Sequence, residues 1–266
     1  MFETIEESKT NFYAYKLTHD DGAAPCVQNG LLTLAVCKPD IRYGKYLAKL
    51  GDYLVGVGGE NLGLGRLIYM AQITDILENG EYYKSEAYQD RLDCAYEEDP
   101  NDQPFHRGED WEHYNGNFIE ITRLGKIIKY EGRGSPTWHR DVGAGWKNAR
   151  VLLSTDYRYF GYGKIGPAHD LLCRYPELRS LIEMSRTSFD VPHLKITPTR
   201  REWPYILLIR DSLWHSYAMM PQGTHATHYK DDPRPGERAA FNKEMKRWRK
   251  QHPFTAQDKQ AFGFRR

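Results

Sequence analysis

The stretch Gly51-Asp52-Tyr53-Leu54-Val55-Gly56-Val57-Gly58-Gly59, followed by Arg66-Leu67-Ile68-Tyr69-Met70-Ala71-Gln72-Ile73-Thr74, decides the fold class of this chain. Val, Ile, Leu and Tyr gather on either side of a glycine-rich turn, which predicts two strands joined by a loop. Glycines after a strand also occur in dinucleotide and phosphate loops, but those loops run into a helix whose N-terminal amides hold the phosphate. Here a second strand follows, and no Gly-Lys-Ser/Thr does. The glycines at 56, 58, 59, 63 and 65 are read as a place where backbone approaches a ligand or takes positive φ.

Working outward, residues 11 to 19 predict an opening strand, and Leu31-Leu32-Thr33-Leu34-Ala35-Val36 a second, near-continuously apolar one. Cys37-Lys38-Pro39-Asp40-Ile41-Arg42 leads out of it, and Tyr43 to Leu50 is expected to be a short helix or turn. Tyr82 to Arg91 carries aromatics at spacings that fit one helix face, whereas Glu97 to Asn117, rich in Asp, Asn, Pro, Gly and His, reads as a long surface excursion. Strands are expected at Phe118 to Thr122, Ile127 to Tyr130 and Arg150 to Ser154. Beyond Pro167 the pattern turns helical, with Pro176 to Met184 amphipathic, an apolar run over 205 to 220 and a basic helical candidate from Arg238 to Lys250.

At 266 residues the chain suits one domain with a substantial extension. Hydrophobic residues make up 40% and aromatics 13%, with 19 tyrosines, so an ordered core rich in stacking surface is expected. The charged residues are balanced, with a formal net charge of +1. Charge is uneven locally: acidic residues lead by roughly four to one between Asp75 and Glu112, and basic residues by roughly three to one beyond Arg234. No apolar run is long enough to span a bilayer and the N-terminus is acidic, so a cytoplasmic protein with no membrane partner is expected. Cys26, Cys37, Cys94 and Cys173 show no Cys-x-x-Cys spacing, which points to reduced thiols rather than a zinc ribbon or disulfide scaffold.

Four blocks in order carry a resemblance: Leu32-Thr33-Leu34-Ala35-x-Cys37-Lys38-Pro39-x-Ile41-Arg42, Gly51-Asp52-Tyr53-x-Val55-Gly56-x-Gly58, Arg66-Leu67-Ile68-Tyr69-x-Ala71-x-Ile73-Thr74, and Val151-Leu152-Leu153-Ser154-x-x-Tyr157-x-Tyr159-Phe160-Gly161. Together they resemble the second family of nucleotide-modification-associated domains, over roughly residues 11 to 170. The resemblance implies an α+β fold with a PUA-like mixed or antiparallel β-barrel and peripheral helices over residues 1–170, while the residue pattern past it predicts a mainly helical extension packing on the barrel, with a basic tail, over 171–266. It also implies a module that binds a modified nucleobase or nucleic acid, as a reader or targeting component of DNA base modification in a bacterial or phage-related system. DNA or a modified nucleotide, and DNA-modification enzymes, are the partners this implies. One departure is Tyr53, where the family often has Trp.

A base-holding barrel needs flat walls, a few fixed hydrogen-bond groups and contacts to flanking phosphates. Tyr53, Tyr69, Tyr159, Phe160 and Tyr162 are the candidate walls, and the backbone at Gly56, Gly58 and Gly59 the candidate reader of a base edge. Lys38, Arg42 and Arg66 are candidates for the phosphate-facing rim, and Cys37, Asp52 and Asp156 for polar contacts. Plainer readings stand beside these: Tyr53 and Tyr69 as ordinary half-buried strand residues, Asp52 as a turn residue accepting backbone amides, Cys37 as small core filler. His225 and His228 sit among Pro221, Gly223 and Pro233, which argues against a regular metal-binding helix, so no metal and no cofactor are expected. The alternative is an enzyme that makes or processes a modified nucleotide, its chemistry contributed by the acidic excursion from Glu97 to Glu112, with His106 and Asp110, and by the His-bearing C-terminal third.

Overall fold

The computed structural model describes residues 10–18, 20, 22–60, 62–98, 104–106, 118–123, 126–131, 140–161, 175–184, 193–217, 243, 247, 250 and 251. In chain order these form β1 (Phe12–Leu17), β2 (Cys26–Gln28), β3 (Leu31–Leu34), α1 (Pro39–Arg42), β4 (Tyr53–Gly58), β5 (Leu67–Gln72) and β6 (Asp75–Leu77). There follow α2 (Glu81–Lys84), β7 (Tyr96–Glu98), β8 (Pro104–His106), β9 (Phe118–Arg123), β10 (Lys126–Glu131), β11 (Val151–Ser154), β12 (Asp156–Tyr159), α3 (Arg179–Met184), β13 (His193–Ile196) and α4 (Trp203–Ser216). The chain divides into two compact units: Met1–His19 with Tyr53–Met70 and Arg158–Arg266, and Asp20–Asp52 with Ala71–Tyr157.

The first unit is built on a mixed five-stranded sheet in the order β12-β5-β4-β1-β13. β1 pairs in parallel with β4, Phe12 opposite Tyr53 and Leu17 opposite Gly58, and antiparallel with β13, Phe12 opposite Ile196. Every residue of β4 is buried, as its place inside the sheet and its unbroken apolar run require. Phe12, Ala14, Tyr53, Val55, Met70 and Ile196 form a core with Leu178, Leu181 and three residues of α4, Ile206, Ile209 and Leu213. Pro204 enters α4 within its first turn, where a missing N–H costs nothing.

The second unit carries a four-stranded sheet, β2-β3-β11-β6, all of whose pairs are antiparallel. Asn29-Gly30, both at positive φ (52° and 74°), turn β2 into β3 with Gln28 opposite Leu31. This is the residue pair and backbone sign that a two-residue hairpin favours. Its core gathers Val36, Tyr82, Tyr83, Tyr96, Val142, Trp146, Val151 and Leu153. A Cβ on Gly80 would stand 2.5 Å from the Trp146 ring, so the tryptophan fixes that glycine. β7 pairs with β8, and β9 with β10, as separate two-stranded ribbons.

The barrel is corrected by this arrangement. The protein is α/β-mixed, as expected, but among the described residues its strands make two principal open sheets and two ribbons, and neither sheet closes on itself. Of the short helix or turn expected over Tyr43 to Leu50, the structure shows the turn; a helix lies just before it, at Pro39–Arg42, where Pro39 supplies the helical φ, and Tyr43 leaves it with φ −135°. The helix expected over Tyr82 to Arg91 breaks at Ser85, whose backbone is extended and whose hydroxyl accepts the Ala87 amide to start a separate short turn. Within Arg238 to Lys250, residues 243, 247 and 250 are helical and exposed.

Candidate functional site

The glycine-rich stretch positions aromatic rings rather than leaving backbone open. A Cβ on Gly56 would meet Tyr69 Cε1 at 2.2 Å and Leu17 Cδ1 at 2.7 Å, and one on Gly58 would meet the Gly63 carbonyl at 2.6 Å. The amides of Gly58 and Gly59 donate to Arg66 O (2.7 Å) and Leu17 O (2.8 Å), so neither is left to read a base edge. Tyr69 is fully buried and its hydroxyl hydrogen-bonds that of Tyr15. Arg66 is buried as well.

Apart from Arg66 in the first unit, the proposed rim and polar residues fall in the second unit, where Arg42, Cys37 and Asp52 serve as supports. Arg42 has no exposed surface: its guanidinium donates to the carbonyls of Arg150 (2.7 Å), Cys37 (3.1 Å), Asp141 (2.8 Å) and Asn148 (3.2 Å). Buried, and with four of its five N–H groups given to carbonyls, this guanidinium is not placed to face a phosphate. Cys37, half-buried at φ +59°, donates its amide to Asp141 Oδ1 at 2.7 Å; Lys38 is half-buried beside it at φ +46°. Asp52 accepts the Lys49 amide at 2.8 Å, the turn role its position suggested, and half-buried Asp156 donates its amide to Ser154 Oγ. Tyr162 lies outside the described residues, as do Asp110, His225 and His228, while only the backbone of His106 is described.

A second buried polar cluster of this unit joins Thr33, Tyr82, Arg91 and Asp93. Asp93 accepts from the Thr33 and Tyr82 hydroxyls, each at 2.5 Å, and Arg91 donates to Thr33, Tyr82 and the carbonyls of Cys26, Gln28 and Leu31. Burial raises the Asp93 pKa against the pull of Arg91, Thr33 and Tyr82. Burial and the Asp93 charge push the Cys26 thiol up to about 12 and Tyr82 well above its ordinary value. These groups satisfy one another and brace the sheet.

In the first unit, aromatic and cationic side chains do converge at a partly open surface. Along α4, the buried residues Ile206, Ile209 and Leu213 are flanked by a half-buried stripe at 203, 207, 210, 214 and on to Tyr217, spaced alternately four and three apart. Tyr53 stacks on Phe12 (centroids 4.8 Å apart, planes at 15°) and meets the edge of Trp214 at 5.8 Å. Phe160 meets Tyr217 edge-on at 5.1 Å. Two guanidiniums lie on these rings: Arg158 over Trp214 at 4.5 Å, also donating to Tyr217 O at 2.7 Å, and Arg210 over Tyr53 at 5.7 Å. Burial works against the Arg210 charge, but hydrogen bonds to Asp211 and Tyr53 outweigh it and raise its pKa. Of the expected walls, then, Tyr53 and Phe160 share this cluster, Tyr159 is buried beside it in sequence, and Tyr69 belongs to the Tyr15 pair.

A sequence model described as Nucleotide modification associated domain 2 matches residues 9–175 of this chain. The chain belongs to that family. No curated protein and no solved structure matches it. The nucleotide modification associated domain 2 match supplies Tyr53, Arg158 and Phe160 of the aromatic cluster, while α4, with Arg210 and Trp214, lies past its end. Arg158, Arg210 and Trp214 were not singled out from the sequence, although the four-three spacing of Trp203, Leu207, Arg210, Trp214 and Tyr217 was there to find. No group of three or more His, Cys, Asp or Glu side chains among the described residues is disposed to hold a metal ion. No described helix is long and apolar enough to cross a membrane.

Proposed function

We propose that this protein binds a modified nucleobase or nucleotide, free or in DNA, as a reader or targeting component of nucleotide modification, through the arginine and aromatic cluster of its first unit. The observation that carries the reading is the placement of Arg158 and Arg210 on the faces of Trp214 and Tyr53. The two guanidiniums bring positive charge to the cluster, which favours a phosphate, while half-buried Trp203, Trp214 and Tyr217 offer the apolar flank on which a base stacks. Membership of a nucleotide-modification family supports the choice of ligand class.

The test is equilibrium titration of the full chain with canonical and base-modified mononucleotides and oligonucleotides at low salt. Binding should depend on base identity and weaken as salt rises. Arg210→Ala should weaken it about tenfold while leaving the far-ultraviolet dichroism unchanged, since Arg210 sits at the open side of the cluster. No binding by any of these ligands would overturn the reading, and conversion of the nucleotide to a new mass during incubation would replace it with an enzyme.

A further inference from the structure

The loop Tyr43–Asp52 of the second unit exposes two leucines on a backbone that is held from several sides. Leu47 is 43% exposed and Leu50 65% exposed, the latter the most exposed of the large hydrophobic residues among those described. Leu47 is moreover at φ +43°, a region that bulky residues occupy only when their surroundings impose it. The surroundings are on view: Tyr46 and Ala48 donate their amides to Asp40 O and Ile41 O, both at 2.8 Å, and Gly51 donates to Ile73 O at 2.9 Å. Arg150 donates to the carbonyls of Ala48 (2.7 Å) and Arg42, and the Tyr43 hydroxyl to Arg140 O (2.6 Å). Because the backbone of this apolar tip is fixed, little entropy is lost when the tip is covered.

Charge around the tip selects the occupant. Lys45 and Lys49, both exposed, bracket Leu47, and the exposed Arg140 supplies the carbonyl that anchors Tyr43. The ammonium of Lys45 lies 5.4 Å from the Tyr46 ring centroid. One or two aliphatic side chains flanked by cations are what a duplex accepts at an opened base step, the cations neutralising phosphates on either side. Two leucines present too little apolar area to hold a lipid surface by themselves.

We propose that this loop docks on duplex DNA, with Leu47 and Leu50 pressed against or between base pairs and Lys45 and Lys49 on the flanking phosphates. The inference rests on the reading above for its choice of nucleic acid, and it adds that the ligand is met as a base within a duplex.

The experiment uses the full chain with two helical turns of duplex DNA carrying 2-aminopurine at a central step, the same strand unpaired, a modified mononucleotide, and vesicles of phosphatidylserine and phosphatidylcholine. Wild type should bind the duplex and raise 2-aminopurine fluorescence as stacking is disturbed. Leu47→Ser with Leu50→Ser should lose the fluorescence rise and weaken duplex binding about tenfold, and Lys45→Glu with Lys49→Glu should lower the magnitude of the log–log salt slope by about two. Both variants should keep the wild-type unfolding midpoint and mononucleotide affinity, because the altered side chains are exposed and lie in the other unit. Unchanged duplex binding by the leucine variant, a preference for the single strand, or binding to vesicles in place of DNA would each overturn the proposal. Duplex docking that neither depends on base modification nor weakens in Arg210→Ala would support the loop and overturn the reading of the first unit.

Discussion

Gly56 and Tyr69 occupy a single space: the ring of one fills the volume where the other's Cβ would stand, 2.2 Å from Cε1 and 2.3 Å from Cδ1. Ring and glycine lie on the strands at either end of the glycine-rich loop. What that glycine admits is therefore an internal aromatic, one whose hydroxyl bonds Tyr15.

Gly56→Ala should accordingly destabilise the protein by about 3 kcal/mol, the upper range for forcing a methyl into a packed core. Tyr69→Leu should also destabilise, but the two together should cost less than their sum, because the smaller side chain frees the methyl's place. Urea midpoints of the three variants decide it. Additive losses would mean that the contact is not what excludes a side chain at 56.

Arg42→Lys separates two roles that this residue could have. At a phosphate-facing rim, lysine would preserve the charge and leave stability alone. Buried beneath four carbonyls and 3.7 Å from Asp141, arginine cannot be replaced by a single ammonium without stranding acceptors, at a cost of about 2–4 kcal/mol. Unfolding measurements should show that loss, and hydrogen exchange should quicken at the amides of Tyr46 and Ala48, which the Arg42 region supports.

Arg42 also shows how far the sequence could be read. Its acceptors on Asp141, Asn148 and Arg150 lie about a hundred positions along the chain, and no local pattern distinguishes a rim arginine from one that long-range pairing encloses. Strands β1, β3, β4, β5, β9, β10 and β11 are legible because their apolar runs and bounding turns are local. β2 was passed over although Asn29-Gly30 marks its hairpin, since three residues carry too little periodicity by themselves. Closure into a barrel depends on which strand edges meet, and strand content says nothing of that. The aromatics at 53 and 160 were found, but the guanidiniums that give their cluster its chemistry are on Arg158 and Arg210, and Arg210 comes from a helix far along the chain.

Alkaline pH should destabilise the second unit. Burial holds the Cys26 thiol near 12 and Tyr82 and Tyr83 well above their ordinary values, with the Asp93 charge adding to Cys26 and Tyr82. All three folded pKa values are raised, so the unfolded chain gives up these protons first and stability is complete below the ordinary values. It is lost as pH climbs past about 8.5 for the thiol and about 10 for the phenols, by roughly 1.4 kcal/mol per pH unit for each group still protonated. Urea midpoints followed upward from neutral pH should fall along that course, and Tyr82→Phe should make the fall shallower. A midpoint that stays level to pH values above the phenol range would refute it.

The part of the chain past the family match should prove indispensable to the sheet that the match contains. Ile196, Ile206, Ile209 and Leu213 are fully buried, in one core with Phe12, Tyr53 and Val55, and β13 pairs with β1. Each such aliphatic contributes about 1.5–3 kcal/mol on burial, so the four together supply about 6–12 kcal/mol, against a total stability of about 5–15 kcal/mol for an ordinary domain. A chain ending at residue 175 should lack a cooperative thermal transition and bind a hydrophobic dye, and extending it through Tyr217 should restore the transition. If the shorter chain instead melts sharply near the full-length midpoint, the sheet is stable without its helical cover, and Arg210 and Trp214 can be removed from the aromatic cluster without cost to the fold.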